Sequence, residues 1–241
     1  MKNYKLAIFD LDGTLLDTLI DLMNSTNFAL QEMGFPKRSL LEIRKFVGNG
    51  VKKLIERAVP INTNKEDIEK TLSIFKKHYE DHCEENTKPY NGIIELLDLL
   101  ISQNILIAVV SNKIDSAVSL LCKQYFGDRI QISVGDKENA RKKPAPDSVF
   151  EVLKSLKIQK EDSIYIGDSE VDIETAKNAE IDCISVTWGF RDKEVLLEAW
   201  GFESNASIQD FSKKGTPFGS ILSYFADDIN DIREILIGTK K

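Results

Sequence analysis

Nowhere in the 241 residues is there an apolar run approaching the ~18–20 that a membrane span needs. Cysteine is scarce. Cys83, Cys122 and Cys183 are far apart and odd in number, which excludes a disulfide framework and reads as small buried residues in a reducing compartment. No Cys or His pair is read at ligand spacing, so a zinc site is not expected. Positive charge is in deficit: 32 Lys and Arg stand against 39 Asp and Glu, a net charge of −7. A phosphate backbone would meet net repulsion, so nucleic acid is not an expected partner. Met1-Lys2-Asn3-Tyr4-Lys5 leads straight into an apolar run carrying Asp10 and Asp12. That matches neither a signal nor a transit peptide, and the expected location is cytoplasmic. What is present is a core: 42% of residues are apolar, which rules out a disordered chain.

Short, β-branched, non-alternating runs read as parallel strands covered on both faces. They are Lys5–Phe9, Ile105–Val110, Ser163–Ile166 and Cys183–Val186, with Ile130–Val134 weaker. Helical patterns lie between them at Gly92–Ser102, Ala117–Tyr125, Asp147–Leu156 and Glu170–Asn178. Strand alternating with helix predicts an α/β fold, a doubly wound parallel sheet. One connection is far too long for a βα crossover, the stretch Leu15 to Lys88. It has its own helical periodicity over Asp17–Met33, closed by Gly34. Ser39-Leu40-Leu41-Glu42 reads as a capping box, and Asn64 as the cap of a long amphipathic run through Cys83. This predicts a small helical domain, residues 15–88, inserted into a core made of residues 1–14 and 89–241. Residues 203–220 are polar, without periodicity, and read as a loop; Ile221–Ile237 returns to an apolar pattern with a final helix.

In an open parallel sheet, ligands bind beyond the carboxyl ends of the strands. The first strand ends in Asp10-Leu11-Asp12-Gly13-Thr14, the second in Ser111-Asn112-Lys113, and a later one in Gly167-Asp168-Ser169, with Asp172 close behind. Lys143 precedes Pro144-Ala145-Pro146 at the start of a helix. Carboxylates gathered on one rim repel one another, and a divalent cation resolves the conflict. Hard oxygen ligands favour Mg²⁺. Metal, carboxylates, the donors of Ser111 and Asn112, and Lys143 together make a phosphate site.

These residues, in order, resemble the four motifs of the haloacid dehalogenase (HAD) superfamily. Asp10-Leu11-Asp12-Gly13-Thr14-Leu15-Leu16-Asp17-Thr18 is similar to the first. Ser111, Lys143 with Pro144-Ala145-Pro146, and Gly167-Asp168-Ser169-Glu170-Val171-Asp172 are similar to the others. The helical insertion resembles the small cap of the phosphoglycolate phosphatase-like subgroup. The resemblance implies a Rossmann-like core and a Mg²⁺-dependent phosphatase for a small phosphorylated metabolite. In it Asp10 forms an aspartyl-phosphate and Asp12 shuttles the proton. Metal ligation falls to Asp10, Asp168 and the backbone oxygen of Asp12, with Asp172 supporting the metal's water shell or orienting Lys143. Asp12 argues against dehalogenases and phosphonate hydrolases. Leu22 stands where similar sugar-phosphate mutases place a histidine, so the mutase is the alternative within the enzymes. A non-enzymatic binding protein is the alternative outside them. Val47-Gly48-Asn49-Gly50-Val51 looks like a loop lowered over the substrate, with Gly48 and Gly50 allowing close approach and Asn49 a hydrogen bond. Phosphoglycolate, a sugar phosphate, a nucleotide monophosphate and pyrophosphate all remain open, as does oligomeric state.

Overall fold

The structure, a computed structural model, describes residues 2–137, 140–202 and 221–238. Chain order is β1 (Leu6–Phe9), β2 (Leu16–Asp17), α1 (Leu19–Glu32), α2 (Leu40–Phe46), α3 (Val51–Ala58), α4 (Lys65–His82), β3 (Lys88–Pro89), α5 (Ile93–Ser102), β4 (Leu106–Ile114), α6 (Asp115–Phe126), β5 (Ile132–Asp136), α7 (Asp147–Leu156), β6 (Ser163–Gly167), α8 (Glu170–Ala179), β7 (Asp182–Val186), α9 (Lys193–Ala199), β8 (Ser223–Ala226) and α10 (Ile229–Ile237). Six strands form one sheet in the order β5-β4-β1-β6-β7-β8, parallel throughout. The α/β expectation therefore holds.

Strand β1 shows why the sheet is doubly covered. Leu6, Ala7, Ile8 and Phe9 are all fully buried, and alternate residues point to opposite faces. Leu6 and Ile8 join Val149, Val152, Ile173 and Leu196 from α7, α8 and α9. Ala7 and Phe9 join Leu96, Leu121 and Ile232 from α5, α6 and α10. The β1 backbone sits between β4 and β6, at the centre of the sheet.

Three sequence expectations shift. Strand β4 runs on through Ser111, Asn112 and Lys113 instead of ending before them, with a register shift between Val110 and Ile114. Strand β8 was not anticipated; only four residues long, it pairs with β7 and lies just before the final helix. The ribbon β2–β3 joins two-residue segments far apart in sequence. The loop expected over 203–220 lies outside the described residues. No described helix is long and apolar enough to cross a membrane.

Helices α1 to α4 lie between β2 and β3. Ser39 and Glu42 close the expected capping box, and the Asn64 side chain accepts from the Asp67 N–H. Asp21 ties the two chain crossings together. Only 1% exposed, its carboxylate accepts from Asn86 N at 2.9 Å, Asn86 Nδ2 at 2.8 Å, Thr87 N at 2.8 Å and Thr87 Oγ1 at 2.9 Å. Removing it leaves the two buried donors of Thr87 without this partner and frees those of Asn86. Asp21→Ala is expected to cost about 3 kcal/mol, seen as a melting-temperature drop of roughly 6–12 °C. A drop under about 2 °C in a thermal melt would contradict the tie.

Candidate active site

The turn after β1 delivers Asp10 and Asp12, β4 delivers Ser111, Asn112 and Lys113, and the β6–α8 junction delivers Asp168 and Asp172. Lys143 arrives from the segment before α7. Asp10 Oδ1 accepts from the Leu11 N–H at 2.7 Å and lies 3.0 Å from Lys143 Nζ. The same ammonium donates to Asp172 Oδ1 at 2.7 Å and to Tyr165 Oη at 3.0 Å. Tyr165 in turn donates to the Val110 carbonyl at 3.1 Å. The other Asp172 oxygen accepts from Ser169 N at 3.1 Å and Ser169 Oγ at 2.6 Å, the capping box of α8. Asp168 accepts from the Phe190 N–H at 2.6 Å and from Thr14 Oγ1 at 3.4 Å. Packing here leaves no room for side chains at Gly13. Its φ is +84°, and a Cβ would fall 2.4 Å from Asp168 Oδ2.

Carboxylate oxygens of Asp10, Asp168 and Asp172 lie within 4.8 Å of one another, all three residues buried. Lys143 alone forms ion pairs with them among the described residues. Burial pushes the Asp10 carboxyl up to about 7, with Lys143 opposing and Asp172 and Asp12 adding to the rise. Burial and the neighbouring Asp172 and Asp10 push Asp168 well above the usual carboxylate range. For Lys143, burial works against the ammonium, yet Asp10 and Asp172 outweigh it and hold it charged. Three buried acids with one ammonium are short of positive charge. An all-oxygen donor set with that deficit fits a hard divalent cation such as Mg²⁺.

The ligand expected from Asp12 is its backbone oxygen; its carboxylate lines the same cavity as Asp10, stands outside the acidic cluster and accepts from Lys113 at 2.9 Å.

Over Asp10 lies a cavity of about 40 Å³. The sheet side supplies Asp10, Asp12, Ser111, Asn112, Lys113, Asp168 and Ser169; α1–α4 supply Leu22, Val47, Gly48, Gly50, Val51 and Leu54. Asn112 Nδ2 donates to the carbonyls of Lys143 at 3.1 Å and Gly48 at 3.2 Å, joining core to insert. Asn49 departs from expectation: its Oδ1 accepts from Arg57 at 2.8 Å, and it does not line the cavity. The loop geometry aims its side chain along α3 instead.

Arg191, in a loop the sequence already places near the site, and Tyr79, on the apolar face of α4, make contacts that the sequence does not show. Arg191 pairs with Glu170 at 2.8 Å and donates to the carbonyls of Arg44 at 3.1 Å and Val47 at 2.7 Å, pinning the end of α2 to the core. Tyr79, from α4, reaches Lys113. Neither set of contacts has a local sequence signal, because each partner is distant in the chain. The two histidines do stand one helical turn apart on α4, at ligand spacing, with rings 4.2 Å apart. Their Nδ1 atoms meet Ser25 and Glu85, and no third ligand joins them among the described residues.

The family model for haloacid dehalogenase-like hydrolases matches residues 7–186. The phosphoglycolate phosphatase of Pseudomonas syringae pv. tomato is 33% identical over 201 residues, covering 80% of this chain and 73% of that protein. That of Mesorhizobium japonicum is 30% identical over 210 residues, covering 86% and 91%. A crystal structure from Lactobacillus delbrueckii subsp. bulgaricus, carrying a provisional phosphoglycolate phosphatase description, superposes with a TM-score of 0.84. Its identity is 31%, with 98% of this chain and 100% of that one covered. With four ordered motifs converging on one buried acidic cluster, and relatives that match along most of its length, the chain belongs to the haloacid dehalogenase-like hydrolase family.

Proposed function

We propose that this protein is a Mg²⁺-dependent phosphatase for a small phosphomonoester. The observation that carries the reading is Asp10: a buried carboxylate paired with Lys143, beside Asp168, facing a cavity at the open end of the parallel sheet.

Asp10, Asp168 and Asp172 would hold the cation, which supplies charge neutralisation for the transferring phosphoryl group. The chain's own residues do the rest. An Asp10 oxygen attacks phosphorus, and the ester oxygen leaves with a proton from Asp12. The Asp12 carboxylate then takes a proton from water, which attacks the aspartyl-phosphate and frees Asp10. Ser111 and Asn112 line the space for the phosphoryl oxygens, and Lys143 balances charge on the nucleophile's side. Asp172, bound to Lys143, Ser169 and Tyr165, keeps that ammonium in place.

Residues 15–88 act as a cap over this site. The cavity over Asp10 is walled by the sheet on one side and by the insert on the other, so closure of the insert over a bound phosphoester excludes solvent from the reacting atoms. Compact substrates fit such a device, phosphoglycolate among them, since the curated relatives above carry that name. A sugar-phosphate mutase needs a cap residue that moves protons on the sugar. The cavity lining supplied by α1–α4 has no titratable side chain, and Leu22 is part of it. That observation favours hydrolysis over mutation.

Wild type is expected to release phosphate from phosphoglycolate or p-nitrophenyl phosphate only with Mg²⁺ present, and Asp10→Asn to lose at least 10³-fold in kcat. Full activity in that variant, in a malachite-green assay, would end the assignment.

The raised carboxyl groups set a pH dependence. The folded, metal-free protein binds more protons than the unfolded chain, so its stability falls as pH rises from about 4 towards the Asp10 value of about 7. Mg²⁺ needs the ionised acids. The melting-temperature gain from millimolar Mg²⁺ is expected to be larger at pH 8 than at pH 5.5; an equal gain at both would contradict the metal site.

The Arg191 contacts hold the cap shut. Arg191→Gln is expected to raise KM several-fold with a smaller change in kcat, read from steady-state kinetics; an unchanged KM would remove the latch.

A further inference from the structure

Lys113 is a second buried ammonium, 3% exposed, that the chemistry above does not use. It stands on β4 next to Ser111 and Asn112 and lines the cavity. Its Nζ donates to Asp12 Oδ1 at 2.9 Å and Oδ2 at 3.3 Å. It also donates to the Tyr79 hydroxyl and lies 4.5 Å from the centre of the Tyr79 ring. Tyr79 is itself 1% exposed, stacked on Phe75 at 5.3 Å inside the helical insert. Burial works against the Lys113 ammonium; Asp12 and Tyr79 outweigh it and hold the charge.

The two buried lysines thus divide the two aspartates of the first motif. Lys143 faces Asp10 and Asp172; Lys113 faces Asp12. An ammonium in contact with both Asp12 oxygens restricts the carboxylate's rotation, and its other partner comes from the insert. We propose that Lys113 is a positioning residue for Asp12, and that Tyr79 makes this positioning depend on the insert being docked. Asp12 is then aligned for proton transfer only when the cap is in place. The inference rests on the phosphatase reading and on Asp12 as the proton donor.

Leaving-group dependence tests it. A p-nitrophenolate departs readily without a proton, whereas an alkoxide needs one. Loss of Asp12 alignment therefore penalises alkyl esters selectively. The experiment measures kcat/KM, which reports the first phosphoryl transfer, for p-nitrophenyl phosphate and for the alkyl phosphomonoester that wild type turns over best. Lys113→Met keeps the side-chain length and removes the charge. The expected result is a loss at least tenfold greater on the alkyl ester than on the aryl ester, within the ~10²–10⁴ span of general acid catalysis. Tyr79→Phe, which leaves both ion-pair partners intact, is expected to show the same selectivity at smaller size, and it carries the test if Lys113→Met fails to fold. Equal losses on both esters, or none, in a folded variant would overturn the proposal. A wild type inactive on both esters would instead overturn the phosphatase reading beneath it.

Discussion

Mutual repulsion among Asp10, Asp168 and Asp172 is the constraint around which the rest is arranged. Three carboxyl groups are withdrawn from water and crowded within 4.8 Å. Burial drives the Asp10 and Asp168 carboxyl groups upward. The fold answers with Lys143, with the Phe190 and Leu11 N–H groups, and with the Ser169–Asp172 cap. These offset part of the cost and leave a deficit of positive charge at one point. That deficit among buried oxygen donors suits a hard divalent cation.

A second arrangement links that cluster to the helices above it. Asn112, Lys113 and Arg191 all leave the core and end on the insert, at Gly48, Tyr79 and Val47. Asp21 ties the two crossings from the other side. These directional polar contacts add to apolar packing that runs without a break from the insert into one face of the sheet.

Much of this was legible beforehand, and the reasons differ by element. Strand β1 showed as a short apolar run because both its faces are covered. The α2 and α4 starts showed because caps are local chemistry, three residues apart. Asp10 and Asp168 showed because strand ends in a parallel sheet collect ligands, and Lys143 because it stands just before Pro144-Ala145-Pro146 at a helix start. Strand β8 did not, being four residues whose pairing with β7 depends on chain more than thirty residues away. Neither did Lys113's role: in sequence it is one lysine after an asparagine, and only the meeting of β4 with α4 gives it Asp12 and Tyr79 as neighbours.

By itself the amino-acid order determined the class of fold, the family and the set of acids, because periodicity, caps and motif spacing act over a few residues. Tertiary structure decided which acids come together in one cluster, that the Asp12 carboxylate meets Lys113, and that Asn49 serves Arg57 instead of the cavity. Those outcomes depend on where side chains from separate elements point once packed. Burial then sets how strongly each charge is felt, and no local pattern encodes it.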